Sequence, residues 1–440
     1  MADSLLTIDA VDVNEGASDY VHGANLESPR VGTVSDTYGL LIEGWVLSMA
    51  LRVEHVEVLH QERPIALIEL DQERPDIAAA FPDVSGSSCS GYRASIGALK
   101  LPSEFEVVLR ARLEDDTRLP LARLRGRRRP LPASAGDEIQ PIVVNTIGRS
   151  GSTLLVTLLS CHPQVVAFSP FVKDARMATY WMSILQDLAE PASFLYPFDP
   201  PDLETPHWWL GSGLQADELG DAAVEQWLGA DAIESVATMC QSRIDAFYNQ
   251  IADPDSSPRY FVEKFLPYQV VPDLLAEVYP GAREVILVRD FRDMLCSVIA
   301  FNEKRGYQAF GRGEAESNES YVRNNLAQSA TTLIERWRGA STKPLLVRYE
   351  DLILEPERAL GELFAYLDVD AGADLIEATL KRALEVTESM QHHRTTSDPA
   401  ASIGRWREDL SEEMAKLCDE VLGPLMAELG YEVGEGAWLS

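Results

Sequence analysis

The stretch that most constrains this chain is an apolar segment running without a break into a Gly/Ser turn and then into a second apolar run. It reads Pro141-Ile-Val-Val-Asn-Thr146, Ile147-Gly-Arg-Ser-Gly-Ser-Thr153, Leu154-Leu-Val-Thr-Leu-Leu159. The first part has the pattern of a buried strand, and the last that of a helix over residues 152–160. A strand, a tight turn and a helix N-terminus in that order aim several unpaired backbone N–H groups and the positive end of a helix dipole at one point. Anionic oxygen fits there. Arg149 adds a fixed charge with a fork suited to bidentate contacts, and Ser150, Ser152 and Thr153 add hydroxyls around Gly151. Taken alone, these residues also fit an ordinary βα turn with Ser and Thr caps. The nucleoside triphosphatase pattern GxxxxGK[ST] does not fit, because Gly148 and Gly151 are too close together and no lysine follows Gly151.

Beyond this turn, apolar strands at 284–288 and 345–347 alternate with helical stretches at 174–188 and 222–249. That grammar predicts an α/β domain over 139–440, with a central parallel sheet covered on both faces. A Pro- and aromatic-rich loop at 191–209, carrying Phe194, Tyr196, Trp208 and Trp209, is expected to cap the site. Ahead of the turn the patterning differs. Residues 1–27 are acidic and polar, and read as a flexible arm. Residues 28–127 hold short strands: 40–46, 53–68 with a break at 61–64, and a hairpin of 105–113 with 119–124. They read as a small all-β, sandwich-like domain. Residues 128–138 lie in a Pro/Gly/Ser-rich stretch and are expected to link the two.

Charge narrows the partners. With 38 Lys+Arg against 70 Asp+Glu the net charge is −32, which repels nucleic acid and anionic membrane surfaces unless basic residues are locally concentrated. Arg123-Leu-Arg-Gly-Arg-Arg-Arg129 is the one such run, and no nucleic-acid partner is expected. Five scattered cysteines without CxxC spacing indicate neither a disulfide framework nor a zinc site. The N-terminus lacks the basic and apolar regions of a signal peptide, and no apolar window approaches about 18 residues. A cytoplasmic protein without stable membrane insertion is therefore expected.

A second charged motif, Arg289-Asp-Phe-Arg-Asp-Met-Leu-Cys-Ser297, follows the strand at 284–288. Its bland reading is a surface ion-pair ladder of Arg289, Asp290, Arg292 and Asp293. In order along the chain, however, the two motifs resemble those of the sulfotransferase family. Arg149-Ser-Gly-Ser-Thr153 is similar to the 5′-phosphosulfate motif [KR]SGTT with Ser for Thr, and His162-Pro163 also recurs in Golgi-type and bacterial members. Arg289 to Ser297 is similar to the 3′-phosphate motif RDPRDxxxS, with Phe291 in place of Pro. Leu346-Val-Arg-Tyr-Glu-Asp-Leu352 is similar to the family's YEDL strand end, which implies Tyr349 near the adenine. Gly404-Arg-Trp-Arg407 resembles the C-terminal GxWK/GRW segment, implying Arg405 or Arg394 at the 3′-phosphate. Phe261-Val-Glu-Lys-Phe-Leu-Pro267 resembles an EKTP-like segment, making Lys264 the residue that stabilises the leaving phosphate, with Arg149 in support.

This resemblance, over about residues 140–432, implies a P-loop-like three-layer domain. It implies transfer of a sulfuryl group from 3′-phosphoadenosine 5′-phosphosulfate (PAPS), leaving 3′,5′-ADP, with no metal required. The acceptor is expected to be a hydroxyl of a glycan, glycolipid or small metabolite. At the family's usual general-base positions this chain has Ser169-Pro170 and Phe265. Asp174 and Glu263 are the nearest substitutes, and Asp174 is preferred. The missing base leaves a catalytically silent nucleotide-binding or scaffold protein as the alternative, with a small-molecule kinase behind it.

Overall fold

The computed structural model describes residues 4–13, 20–35, 37–49, 51–133, 139–170, 174–189, 230–254, 256–306, 315, 317–340, 342–388 and 399–434. These divide into two compact units, residues 1–134 with 179–243 and residues 135–178 with 244–440.

In the first unit alternating patterning makes nine strands: β1 (Leu6–Val13), β2 (Val21–Ser28), β3 (Val34–Ser35), β4 (Gly39–Ser48), β5 (Val53–His60), β6 (Arg63–Glu69), β7 (Gly91–Gly97), β8 (Glu104–Leu113) and β9 (Arg118–Arg128). They form a six-stranded antiparallel sheet, β3-β1-β9-β8-β5-β6, and a three-stranded one, β2-β4-β7. The inward residues of both sheets, among them Ile8, Ile42, Val58, Leu109 and Leu124, share one core, which makes the unit a sandwich.

Two expectations are corrected here. Residues 6–13 and 21–27, expected to lie in a flexible arm, are instead strand residues of β1 and β2. Two acidic residues of β1 are paired across the sheet, Asp9 with Arg127 at 3.0 Å and Asp12 with Arg125 at 3.2 Å, while Leu6 and Ile8 enter the core. A register shift between Ile8 and Ala10 interrupts the alternation that would have marked β1 as a strand. Likewise β9 runs on to Arg128, the first residue of the expected linker. Gly126 is needed within it, because a Cβ there would lie 2.7 Å from the Phe105 ring. The arginine run is therefore a strand whose side chains alternate. Arg123 pairs outward with Glu106 at 2.7 Å, as Arg125 and Arg127 do with the β1 aspartates, while buried Arg128 donates to the Leu101 carbonyl. Paired in this way, the run is not an open basic patch.

In the second unit β10 (Gln140–Thr146), β11 (Val165–Val166), β12 (Tyr260–Phe265), β13 (Arg283–Val288) and β14 (Leu345–Arg348) form a parallel sheet in the order β11-β12-β10-β13-β14. Both faces of the sheet are covered. Ile142, Val144, Val285 and Leu287 pack with helices α1 (Ser152–Ser160), α2 (Pro356–Leu367) and α3 (Ala373–Glu388). Ile286 and Val288 pack on the opposite side with α4 (Phe291–Arg305), α5 (Ala327–Gly339) and α6 (Glu412–Glu428). The helix after β10 thus covers one face and the helix after neighbouring β13 the other, which opens a crevice at the carboxyl ends of these two strands. Two further helices, α7 (Met177–Leu188) and α8 (Ala232–Ile251), belong in part to this unit. Helix α7 begins three residues later than the sequence pattern indicated, so Asp174 precedes it. The aromatic loop at 191–209 and Arg394 lie outside the described residues. Among the described residues no helix is long and apolar enough to cross a membrane.

The shared core of the sandwich predicts that Leu109→Ala, at a fully buried position on β8, costs about 2–5 kcal/mol. A lowered urea midpoint for the β-unit transition checks this, and an unchanged midpoint would contradict it.

Candidate active site at the carboxyl ends of the parallel strands

The turn after β10 is shaped by two left-handed residues, Arg149 (φ 71°) and Gly151 (φ 95°). Gly151 cannot be replaced without movement, since a Cβ there would lie 2.3 Å from Cδ2 of Tyr349. Among the described residues no side chain caps the start of helix α1, leaving its first N–H groups for another acceptor. Ser152 and Thr153 open this helix. The Ser150 hydroxyl is instead turned onto Thr146, which also donates to the Leu287 carbonyl at 2.9 Å and so ties the turn to β13.

Two arginines converge on this turn from adjacent strands. Arg149 Nε donates to Ser297 Oγ at 3.1 Å, and its guanidinium lies 4.5 Å from the centroid of the Phe301 ring on α4. Arg289, directly after β13, donates to the Arg149 carbonyl at 3.3 Å and to the Ser402 carbonyl at 2.6 Å. It lies 4.5 Å from the centroid of the Tyr349 ring, and its buried Nε has no partner among the described residues. Burial, and then the charges of Arg289 and Arg305, pull the pKa of Arg149 down to about 10. It remains a cation at neutral pH, but one held among cations in a largely buried site, where an anion is the stabilising partner.

The other charges of this motif are not a surface ladder. Asp290 caps α4 by accepting from the Arg292 backbone N–H at 2.9 Å, and it binds the Arg292 guanidinium at 3.0 and 2.8 Å. Arg292 is 2% exposed, pairs with Asp419 at 3.0 Å and stacks 3.9 Å from Trp406. Asp293 accepts the N–H groups of Gly404 (2.7 Å) and Trp406 (3.0 Å), so it fixes the C-terminal segment against α4.

That segment meets the site through a different residue from the one expected. Arg405 is paired with Asp409 on its own turn, whereas Ser402 supplies the carbonyl on Arg289 and places its hydroxyl 3.1 Å from Tyr349 Oη. Tyr349 itself packs against Arg289 and Gly151. His162 is structural: its Nδ1 accepts from Gln164 N–H at 3.1 Å and its Nε2 is 3.1 Å from the Asp370 carbonyl.

Lys264 stands on β12 in register with Val144 of β10. Val262, two residues back and therefore on the same face, packs in the core that holds α1. Burial lowers the Lys264 pKa, the charge of Asp174 opposes that, and Arg176 reinforces it. The charge of Asp174 thus acts on the amine. One of its oxygens accepts from Arg176 at 2.9 Å, while the other is buried without a partner among the described residues. Glu263, the other candidate base, is 3% exposed and already accepts from Tyr248 Oη (2.5 Å) and Ala178 N–H (2.7 Å). Phe265 is buried.

Comparison with known proteins adds the following. The model of the sulfotransferase family matches residues 141–373. Protein-tyrosine sulfotransferase 1 of Danio rerio is 22% identical over 301 residues, covering 66% of this chain and 72% of its own length. A Caenorhabditis briggsae sequence named for protein-tyrosine sulfotransferase is 22% identical over 297 residues, covering 67% of this chain and 89% of its own. Among solved structures, the sulfotransferase domain from the Synechococcus PCC 7002 olefin synthase is 20% identical with a TM-score of 0.38, over 70% of this chain and 100% of that one.

The geometry around Asp293 generates a pH prediction. Burial, and then the charge of Asp290, raise its pKa from 3.8 to about 6 against the pull of the two N–H groups it accepts. The fold therefore binds this proton more tightly than the unfolded chain does. The associated stability is full below about pH 4 and is lost as pH rises through about 6. Urea midpoints across this window are expected to fall for the wild type relative to Asp293→Asn, and parallel pH profiles would contradict it.

Proposed function

The chain belongs to the sulfotransferase family, and we propose that it moves a sulfuryl group from PAPS to an acceptor hydroxyl. One observation carries the choice of donor: Arg149 and Arg289 converge at a helix N-terminus that has no side-chain cap among the described residues. The fit to an adenosine bearing two anionic groups rests on the buried Nε of Arg289, unpartnered among the described residues, on the like-charged neighbours of Arg149, and on the space beside Gly148, where a Cβ would meet no described atom within 4 Å. When bound, PAPS supplies an activated sulfuryl group on a phosphate leaving group.

In this reading the first N–H groups of α1, with Ser152, Thr153 and Arg149, hold the phosphosulfate end. Arg289 and Ser297 hold the 3′-phosphate, and Tyr349 keeps Arg289 in place from below. Lys264 donates to the phosphate oxygen that gains charge as the bond to sulfur breaks. Asp174 accepts the proton of the acceptor hydroxyl through its unpartnered oxygen, which supplies the base that Ser169, Pro170 and Phe265 cannot. A silent scaffold would have no use for a buried amine on the central sheet with a carboxylate charge acting on it. The acceptor hydroxyl is that of a glycan, glycolipid or small metabolite. The two relatives named for protein tyrosine favour a second class, the phenolic hydroxyl of a tyrosyl peptide.

Release of 3′,5′-ADP from PAPS with a disaccharide, a simple phenol or a tyrosyl peptide as acceptor tests the reading and ranks the acceptors. Lys264→Ala is expected to lower kcat roughly 10²–10³-fold with little change in KM for PAPS, and Arg289→Ala is expected to raise that KM. An unchanged kcat in Lys264→Ala would remove Lys264 from the chemistry, and phosphate transfer from ATP with Mg²⁺ in place of sulfuryl transfer would move the protein to the kinase class.

A further inference from the structure

Glu263 is a buried carboxylate one residue before Lys264 that the mechanism above does not use. Successive side chains of β12 leave opposite faces of the sheet, so Lys264 shares a face with Val262 while Glu263 shares one with Phe261. On that second face lies Tyr248 of α8, stacked on Phe261 with ring centroids 4.3 Å apart and planes 11° apart. Its hydroxyl reaches Glu263 Oε1 at 2.5 Å. Burial and the charge of Glu263 push the Tyr248 pKa upward, so the hydroxyl stays a donor.

The same carboxylate oxygen accepts the N–H of Ala178 at 2.7 Å. Ala178 is the second residue of α7, and its N–H is one of the four that a helix start leaves without an internal partner. A carboxylate from β12 thus caps a helix distant in sequence, where the helix dipole also favours negative charge. Immediately before that capped turn come Asp174 and Arg176. They are paired at 2.9 Å, and Arg176 is in the left-handed region at φ 48°, a conformation that L side chains hold only when their surroundings impose it. These are the two charges that act on Lys264.

We propose that Glu263 is a positioning residue: through the Ala178 N–H and Tyr248 it fixes the Asp174–Arg176 turn against the amine of Lys264, its neighbour on the same strand. Its catalytic value rests on the sulfuryl-transfer reading, because it sets where Asp174 stands relative to Lys264. The strand serves as a ruler, with one residue carrying the amine and the preceding one holding the helix start that follows the Asp174–Arg176 turn.

The test reads Lys264 itself. Trace acetylation followed by peptide mass spectrometry gives the labelling rate of Lys264 against pH in the full-length protein without nucleotide. Wild type, Glu263→Ala, Glu263→Gln and Tyr248→Phe are compared. In Glu263→Ala the turn is released, Asp174 leaves the amine, and labelling at pH 8 is expected to rise at least about threefold. Glu263→Gln keeps an acceptor oxygen for both donors and is expected to stay within about twofold of wild type, with Tyr248→Phe in between.

Superimposable profiles in wild type, Glu263→Ala and Tyr248→Phe would overturn the proposal. So would an equal rise in Glu263→Gln and Glu263→Ala, which would assign the effect to the charge of Glu263 rather than to its hold on the turn. If Glu263→Ala does not fold, Tyr248→Phe decides, a rise supporting the proposal and a wild-type profile overturning it. Titration of the wild type with 3′,5′-ADP reports separately on the donor: failure to bind removes the sulfuryl-transfer reading while the labelling comparison still decides the positioning.

Discussion

Two guanidinium groups brought together in a largely buried crevice are the constraint around which the α/β unit is organised. Like charges at close range in low dielectric repel strongly, and Arg149 and Arg289 are placed so that the backbone of one is a ligand of the other. Their surroundings hold them in that arrangement. Ser297 and the Phe301 ring orient Arg149, while Ser402 and the Tyr349 ring orient Arg289. Gly151 allows Tyr349 to approach the turn. The buried Asp290–Arg292–Asp419 network fixes the start of α4, directly after Arg289, without spending a carboxylate on the clamp. Preorganisation of this kind leaves little rearrangement for the moment an anion arrives.

Charge elsewhere on the chain sharpens the contrast. A net charge of −32 repels an anionic ligand at long range, so whatever affinity the clamp has must come from groups within about a Debye length, near 10 Å at 0.1 M salt. The arginines of the β-unit do not help, because Arg123, Arg125 and Arg127 are paired across strands with Glu106, Asp12 and Asp9. These exposed pairs contribute little stability individually. They do set cross-strand neighbours on the outer face of the sheet, where no apolar core fixes the register.

The α/β half was largely legible in the sequence because its signals are local. The strand entering the Gly/Ser turn, helix 152–160 and the strand entering Arg289 are each a continuous apolar run with a turn at its end. What was not legible depends on partners distant in sequence. The first strand looked like a solvated arm because Asp9 and Asp12 find their arginines more than a hundred residues later. Asp290, Arg292 and Asp293 looked like a surface ladder because their partners, Asp419 and the backbone of Gly404 and Trp406, follow more than a hundred residues on. Arg405 was the natural candidate in its segment, yet Ser402 is the residue at the clamp, and a contact made by a backbone carbonyl leaves no trace in residue identity. The sequence offered both Glu263 and Asp174 as bases, with Asp174 preferred for its place after Pro170. Their surroundings separate them, since Glu263 accepts from Tyr248 and Ala178 on the sheet face opposite Lys264, while the charge of Asp174 acts on Lys264.

The central claim is that Arg149 and Arg289 together form an anion clamp for an adenosine 3′,5′-bisphosphate. Calorimetric titration of 3′,5′-ADP, without metal, into wild type, Arg149→Ala and Arg289→Ala tests it most directly, with ATP and Mg²⁺ as the control ligand. The expected result is binding near micromolar Kd, about −8 kcal/mol, that is lost in both variants and is not reproduced by ATP. Binding of equal strength in all three proteins, or binding of ATP but not 3′,5′-ADP to the wild type, would contradict it.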